Sequence, residues 1–190
     1  MLRRSILQLP LLAWSTSLLA QTRAPDAPPI GRVPSGADRE GQKRAVGISA
    51  TSFKVLSNET GGDLFVMEQS NTRKGGPSRH LHHNEDELFF VLEGEYLVEI
   101  GDTKSWLGPG DCVLGPRGIP HAWAFVGDTT GRLLISFAPA NKMEAFFRER
   151  EARGIKPGHY AQTREDAAVL RDYGMEWIGP PIPPEDFRRT

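Results

Sequence analysis

From residue 46 to residue 138 the apolar side chains come in short runs, broken every few positions by Gly, Pro, Asn or Asp. In 47–56, Ile48, Phe53 and Val55 stand among Ser and Thr, which is strand chemistry, and a Gly- and Asn-rich turn follows at 58–62. Further strands are predicted at 63–69, around His80, and at 87–93, 96–100, 105–107, 112–114, 120–126 and 132–138. Short strands at this regular spacing predict an all-β sandwich or barrel, and with no internal repeat it is a single barrel over 45–140. Past Pro139 the period changes to that of a helix. Met143, Phe146 and Phe147 fall at i, i+3 and i+4, with Glu and Arg on the other face. Thr163 and Asp166 make a cap-like opening for a second helix over 165–173, with Gly174 as its stop. The tail 175–187, with four prolines and Trp177, is expected to run extended across the barrel. Residues 141–190 are thus read as C-terminal helices and a Pro-rich tail, the helices serving as a buttress or, alternatively, as a lid over the barrel mouth.

The N-terminal end is of a different kind. Arg3 and Arg4 precede a short apolar run that reaches Ala20, the pattern of a cleavable signal peptide over 1–20. The Arg pair followed by Ser5, Ile6 and Leu7 resembles a twin-arginine export signal, so an exported chain, periplasmic or secreted, is expected. The run is too short and too broken for a stable membrane span. Residues 21–44, which include RAPDAPPIGRVPSGADREG, offer no face to bury and read as a flexible linker.

Composition narrows the classes. A chain of 190 residues, 38% hydrophobic and 25% charged, can bury one proper core. Its formal charge of −1 supplies no electrostatic attraction to nucleic acid or an anionic membrane, so neither is expected as a partner. The lone Cys112 excludes an intrachain disulfide and is expected to fill core space.

The chemistry concentrates in HLHHNEDELFFVLEG, residues 80–94. Two residues apart on a strand, His80 and His82 leave the same face, and the polar turn His83–Asp86 delivers Glu87 at the start of the next apolar run. His83 points the other way. Two imidazoles and a carboxylate are ligands for a divalent first-row metal, and His121 is the candidate for a fourth. An inward Glu87 beside Phe89 and Val91 would be costly unless paired, and a metal supplies the pairing. His159 lies outside these stretches and has no assigned role.

The spacings His80-x-His82, four residues, Glu87, six residues, Gly94, and Gly110, five residues, Pro116-x-Gly118, two residues, His121 resemble the paired signatures of the cupin superfamily. The resemblance covers about residues 75–125. It departs at Lys74, where the family usually has Gly, and at Phe125, where it usually has Asn. It implies a cupin jelly-roll barrel holding one metal on His80, His82, Glu87 and His121. Three imidazoles and one carboxylate suit Fe, Mn, Ni, Co or Zn, and ligand type alone does not choose among them. Phe89, Trp123 and Phe125 are expected to line the substrate pocket. Similarity to quercetinase-like members implies a dioxygenase acting on a small aromatic or enolic substrate, with Glu87 as its catalytic base. The alternative is a non-catalytic metal- or small-molecule-binding cupin of the cell envelope. A homodimer is expected by resemblance only.

Overall fold

The computed structural model describes residues 31–153 and 164–188. The candidate signal at 1–20, the first part of the linker, His159 and Thr163 lie outside them. Among the described residues the strands are β1 (Arg44–Val46), β2 (Ser49–Val55), β3 (Phe65–Asn71), β4 (Ser78–His82), β5 (Asp86–Glu93) and β6 (Tyr96–Ile100). They continue as β7 (Thr103–Leu107), β8 (Cys112–Gly115), β9 (His121–Phe125), β10 (Gly131–Ala138) and β11 (Met175–Pro181). The helices are α1 (Met143–Ala152) and α2 (Arg164–Asp172). The strands form two antiparallel sheets, in the orders β1-β2-β3-β10-β5-β8 and β11-β4-β9-β6-β7. The architecture is the double-sheet jelly roll of the cupins.

Strand alternation decides what faces the space between the sheets. In β10, Leu133, Ile135 and Phe137 are buried; in β5, Glu87, Phe89 and Val91 are. Both are interior strands of the larger sheet, with Phe137 opposite Glu87 in register and Ile135 opposite Phe89. The aromatic part of the core is continuous from Phe53 through Phe65 and Phe137 to Phe147 on α1. Strand β9 departs from alternation because all five of its residues are buried. Its second face packs Ala122 and Ala124 with Leu97, Val126 and Ile182, and the last of these comes from the C-terminal tail.

The tail does more than cross the barrel: as β11 it adds a strand to the smaller sheet, placing Trp177 opposite His80 and Met175 opposite His82. The barrel therefore does not end at residue 140. Gly174 turns the chain out of α2 with φ 76°, in the left-handed region that favours glycine.

One expectation is corrected here, and the described part of the segment 21–44 has polar anchors to the barrel. Asp38 Oδ2 accepts the Phe53 amide at 2.8 Å and Arg44 Nε at 3.1 Å, while the Arg44 guanidinium lies 4.3 Å from the centre of the Phe53 ring and meets Glu151 of α1. These polar anchors hold Asp38 and Arg44 in place without an apolar face, and such pairs are invisible to hydrophobic periodicity. Cys112 is exposed, not core, because it begins the edge strand β8 with its side chain facing outward.

Gly76 fixes how closely the loop before β4 approaches β9. A Cβ there would stand 1.7 Å from the Trp123 carbonyl oxygen. Gly76→Ala is expected to destabilise the protein by roughly 3 kcal/mol, because backbone and not a flexible side chain must move. Gly179→Ala, which meets nothing within 4 Å, should change stability by less than about 0.5 kcal/mol. Denaturant unfolding of both variants checks the contrast.

Candidate metal centre

The four expected ligands come together between the sheets. One ligand atom from each of His80, His82, Glu87 and His121 lies within 4.8 Å of the other three. His80 and His82 project from β4, and His121 projects from β9, where it stands directly opposite His80 in register. Glu87 arrives from β5 in the other sheet. The turn after His82 therefore does not fold β5 back beside β4; it carries the chain across the barrel. A site closed by both sheets is stiffer than one on a single hairpin, since opening it means separating the layers.

Each imidazole is already committed on one side. His80 Nδ1 lies 2.8 Å from the Ser78 carbonyl oxygen and His121 Nδ1 lies 2.9 Å from that of Ile119. A carbonyl only accepts, so both Nδ1 atoms donate, and a neutral ring then turns a lone pair on Nε2 toward the centre. His82 Nδ1 meets the carboxylate of Glu85 at 2.9 Å. Sequence reasoning passed over Glu85. It sits in a polar turn just before two other acidic residues, yet it is fully buried, and nothing in the local pattern separates it from Asp86, which pairs with Arg117 at the surface.

Glu87 Oε2 stands 2.9 Å from His121 Nε2 and 3.2 Å from His82 Nε2. The second approach is not aligned as a hydrogen bond, which leaves His82 Nε2 buried with no hydrogen-bond partner. Burial pushes the Glu87 carboxyl up, but the neighbouring imidazoles of His121 and His82 outweigh it and hold the group well below the usual carboxylate range. Burial also drives His80 down, to about 3, helped by the neighbouring His121 and His82. For His82 burial pulls the same way, yet the carboxylates of Glu85 and Glu87 prevail and raise it to about 9. Without an ion, a proton on His82 balances the buried Glu87. An orphaned imidazole nitrogen, two further Nε2 atoms and a carboxylate around one point fit a divalent metal, the donor set being mixed nitrogen and oxygen. A fully buried Glu85 behind His82 is the support such a ligand usually carries.

His80, His82 and Glu87 open onto a partly open cavity of about 50 Å³, room for roughly four waters. Met67, Trp123, Ile135, Phe137 and Met175 make its apolar wall, and Gln69, Ser78 and the buried Arg150 add polar atoms. Its roof is Met143, Phe146 and Phe147 of α1 with Leu170 of α2, so the helices cover the mouth and do not merely buttress the barrel.

Of the three residues expected to line the pocket, only Trp123 does. Phe89 sits behind His121, ring centres 5.9 Å apart, and supports that ligand from the far side. Phe125 packs on Tyr96 at 5.5 Å. Four residues along a strand from His121 is about 13 Å, which takes Phe125 to the other end of the barrel. His83 is exposed beside Glu176, facing away from the site.

Residues 67–137 match the family model for the cupin domain, and the barrel built around them has the cupin jelly-roll fold. Among solved structures the chain is similar to KdgF from Halomonas sp., with 20% identity, 58% of this chain and 94% of that one covered, and a TM-score of 0.49. It is similar to an RmlC-like cupin from Shewanella frigidimarina at 20% identity, covering 53% and 88%, with a TM-score of 0.44. A third, described as a predicted oxalate decarboxylase from Thermotoga maritima, shows 15% identity, coverage of 48% and 80%, and a TM-score of 0.46. None of these likenesses bears on the reaction. No curated protein matches the sequence. No helix among the described residues is long and apolar enough to cross a membrane.

A divalent ion must displace the proton on His82, so binding should release about one proton and tighten about tenfold per unit as pH rises toward about 9. Calorimetric titration with zinc(II) in buffers of different ionisation enthalpy measures both. At a hundred times the dissociation constant, the ion should add about 2.7 kcal/mol of stability. His121→Ala should abolish that gain.

Proposed function

We propose that this protein is a metal-dependent cupin enzyme, a dioxygenase acting on a small aromatic or enolic substrate. The observation that carries the reading is a largely buried three-imidazole, one-carboxylate centre opening onto a mainly apolar cavity. A bound iron, manganese, nickel, cobalt or zinc would act there as a Lewis acid toward a substrate oxygen, and a redox-active one could also engage dioxygen.

The chain supplies the rest. Phe137, Ile135 and Trp123 exclude water and favour a flat, apolar body, so charge developing at the site is poorly screened. Glu87 can take the proton of an acidic O–H or C–H, since it lines the cavity. Arg150, Gln69 and Ser78 can orient the substrate's polar end. The cavity is small, which favours a catechol or short β-diketone over a three-ring flavonol; the larger molecule requires α1 to move outward. In the overall reaction both atoms of dioxygen enter the product. The Arg3-Arg4 segment accords with this reading, since an export route for folded chains lets the site fill before the protein crosses the membrane.

The test is oxygen uptake by protein loaded in turn with each of the five metals, offered catechols and β-diketones. Turnover with at least one pair is expected. Glu87→Gln, with metal content measured alongside, should lower kcat at least a hundredfold. Metal-loaded protein that consumes no oxygen with any of these, yet retains a bound small molecule through purification, would instead identify a non-catalytic receptacle.

A further inference from the structure

We propose that Glu85 and Asn141 are positioning residues that tie the seat of α1, the roof of the cavity, to the orientation of His82, so that ion affinity and roof closure are linked. The inference rests on reading the His/Glu cluster as a metal centre. Glu85 uses both carboxylate oxygens. Oε1 holds His82 Nδ1 at 2.9 Å, and Oε2 accepts from Asn141 Nδ2 at 3.2 Å. The same amide nitrogen reaches the Asn84 carbonyl at 3.1 Å, so the Asn141 side chain clasps the turn between β4 and β5 from outside.

Asn141 stands two residues before Met143, the first residue of α1, and it has a left-handed backbone, φ 41°. Only Gly, or a short polar residue able to bond locally, takes that conformation readily. On its N-terminal side Ala140 is fully buried and its amide is held by the Gly62 carbonyl at 2.9 Å. On its C-terminal side Lys142 reaches the Asp172 carbonyl, the last residue of α2, at 2.9 Å. Asn141 is thus the point where the chain leaves a fixed barrel strand and begins the roof. Three residues of that first helix, Met143, Phe146 and Phe147, close the cavity.

A carboxylate behind a ligating imidazole fixes its ring and raises its basicity, and removing such a partner typically weakens metal binding ten- to a hundredfold. Asn141 in turn orients the carboxylate. A roof that swings outward from residue 141 pulls the amide away from Glu85 and leaves His82 less well held. By reciprocity, an ion that needs His82 aligned favours the closed roof by the same factor.

The experiment titrates wild type, Asn141→Gly and Glu85→Gln with cobalt(II), following its ligand-field absorption, and measures hydrogen exchange of the α1 amides with and without the ion. Asn141→Gly removes the amide while suiting φ 41°, so the fold is retained. Glu85→Gln keeps an oxygen for His82 but loses the charge. Cobalt should bind about tenfold more weakly to each variant, and it should slow α1 exchange in wild type but not in Asn141→Gly. Wild-type affinity in both variants, with α1 exchange slowed equally in all three, overturns the link while leaving the metal centre standing. A wild type that takes up no cobalt overturns the metal reading itself, and the link with it.

Discussion

Three imidazoles with their outer nitrogens already spent, and one carboxylate, aim at a single point between two sheets. Lone pairs so arranged repel unless a positive charge sits among them. A proton on His82 is the minimum, and it leaves one buried nitrogen unsatisfied; a divalent cation meets all four groups at once. Much else in the molecule serves this convergence. The opposed register of His80 and His121 sets two ligands side by side, the crossing from β4 to β5 brings Glu87 from the facing sheet, and Phe89 backs His121.

The ligand set was legible because its information is local. HxH needs only strand periodicity, and the spacing to Glu87 and from Gly110 to His121 is written in consecutive residues. All nine predicted strands are present, because alternation and turn residues are short-range signals. What escaped was non-local or polar. Strand β1 is three residues long, and β11 is recognisable as a strand only through its pairing with β4. Asp38 and Arg44 dock by hydrogen bonds and by the Phe53 ring, which leave no hydrophobic trace. Glu85 is distinguishable from its acidic neighbours only once His82 is seen beside it. The pocket residues Phe89 and Phe125 have the right facing but the wrong depth: periodicity tells which side a residue takes, not how far along the barrel it lies.

The roof shapes what the centre can do more than the barrel does. Cupin barrels host several unrelated chemistries, so the fold leaves the reaction open. Here α1 and α2 set the cavity's size, and its wall is apolar apart from Gln69, Ser78, Arg150 and the ligands themselves. The proposed substrate class, with one acidic or chelating end and a flat apolar body, is consistent with these boundaries. The same helices are joined through Asn141 and Glu85 to His82, so the cavity's cover and the support of one candidate ligand share a hydrogen bond.

X-ray absorption at the metal edge, on protein loaded with one equivalent of iron(II) or zinc(II), addresses the convergence directly. Three imidazole nitrogens and a carboxylate oxygen near 2.0–2.2 Å are expected, with the outer-shell scattering of histidine rings. A first shell of oxygens alone, or a spectrum without imidazole scattering, would mean that the ion binds elsewhere and that His80, His82, Glu87 and His121 do not form its site.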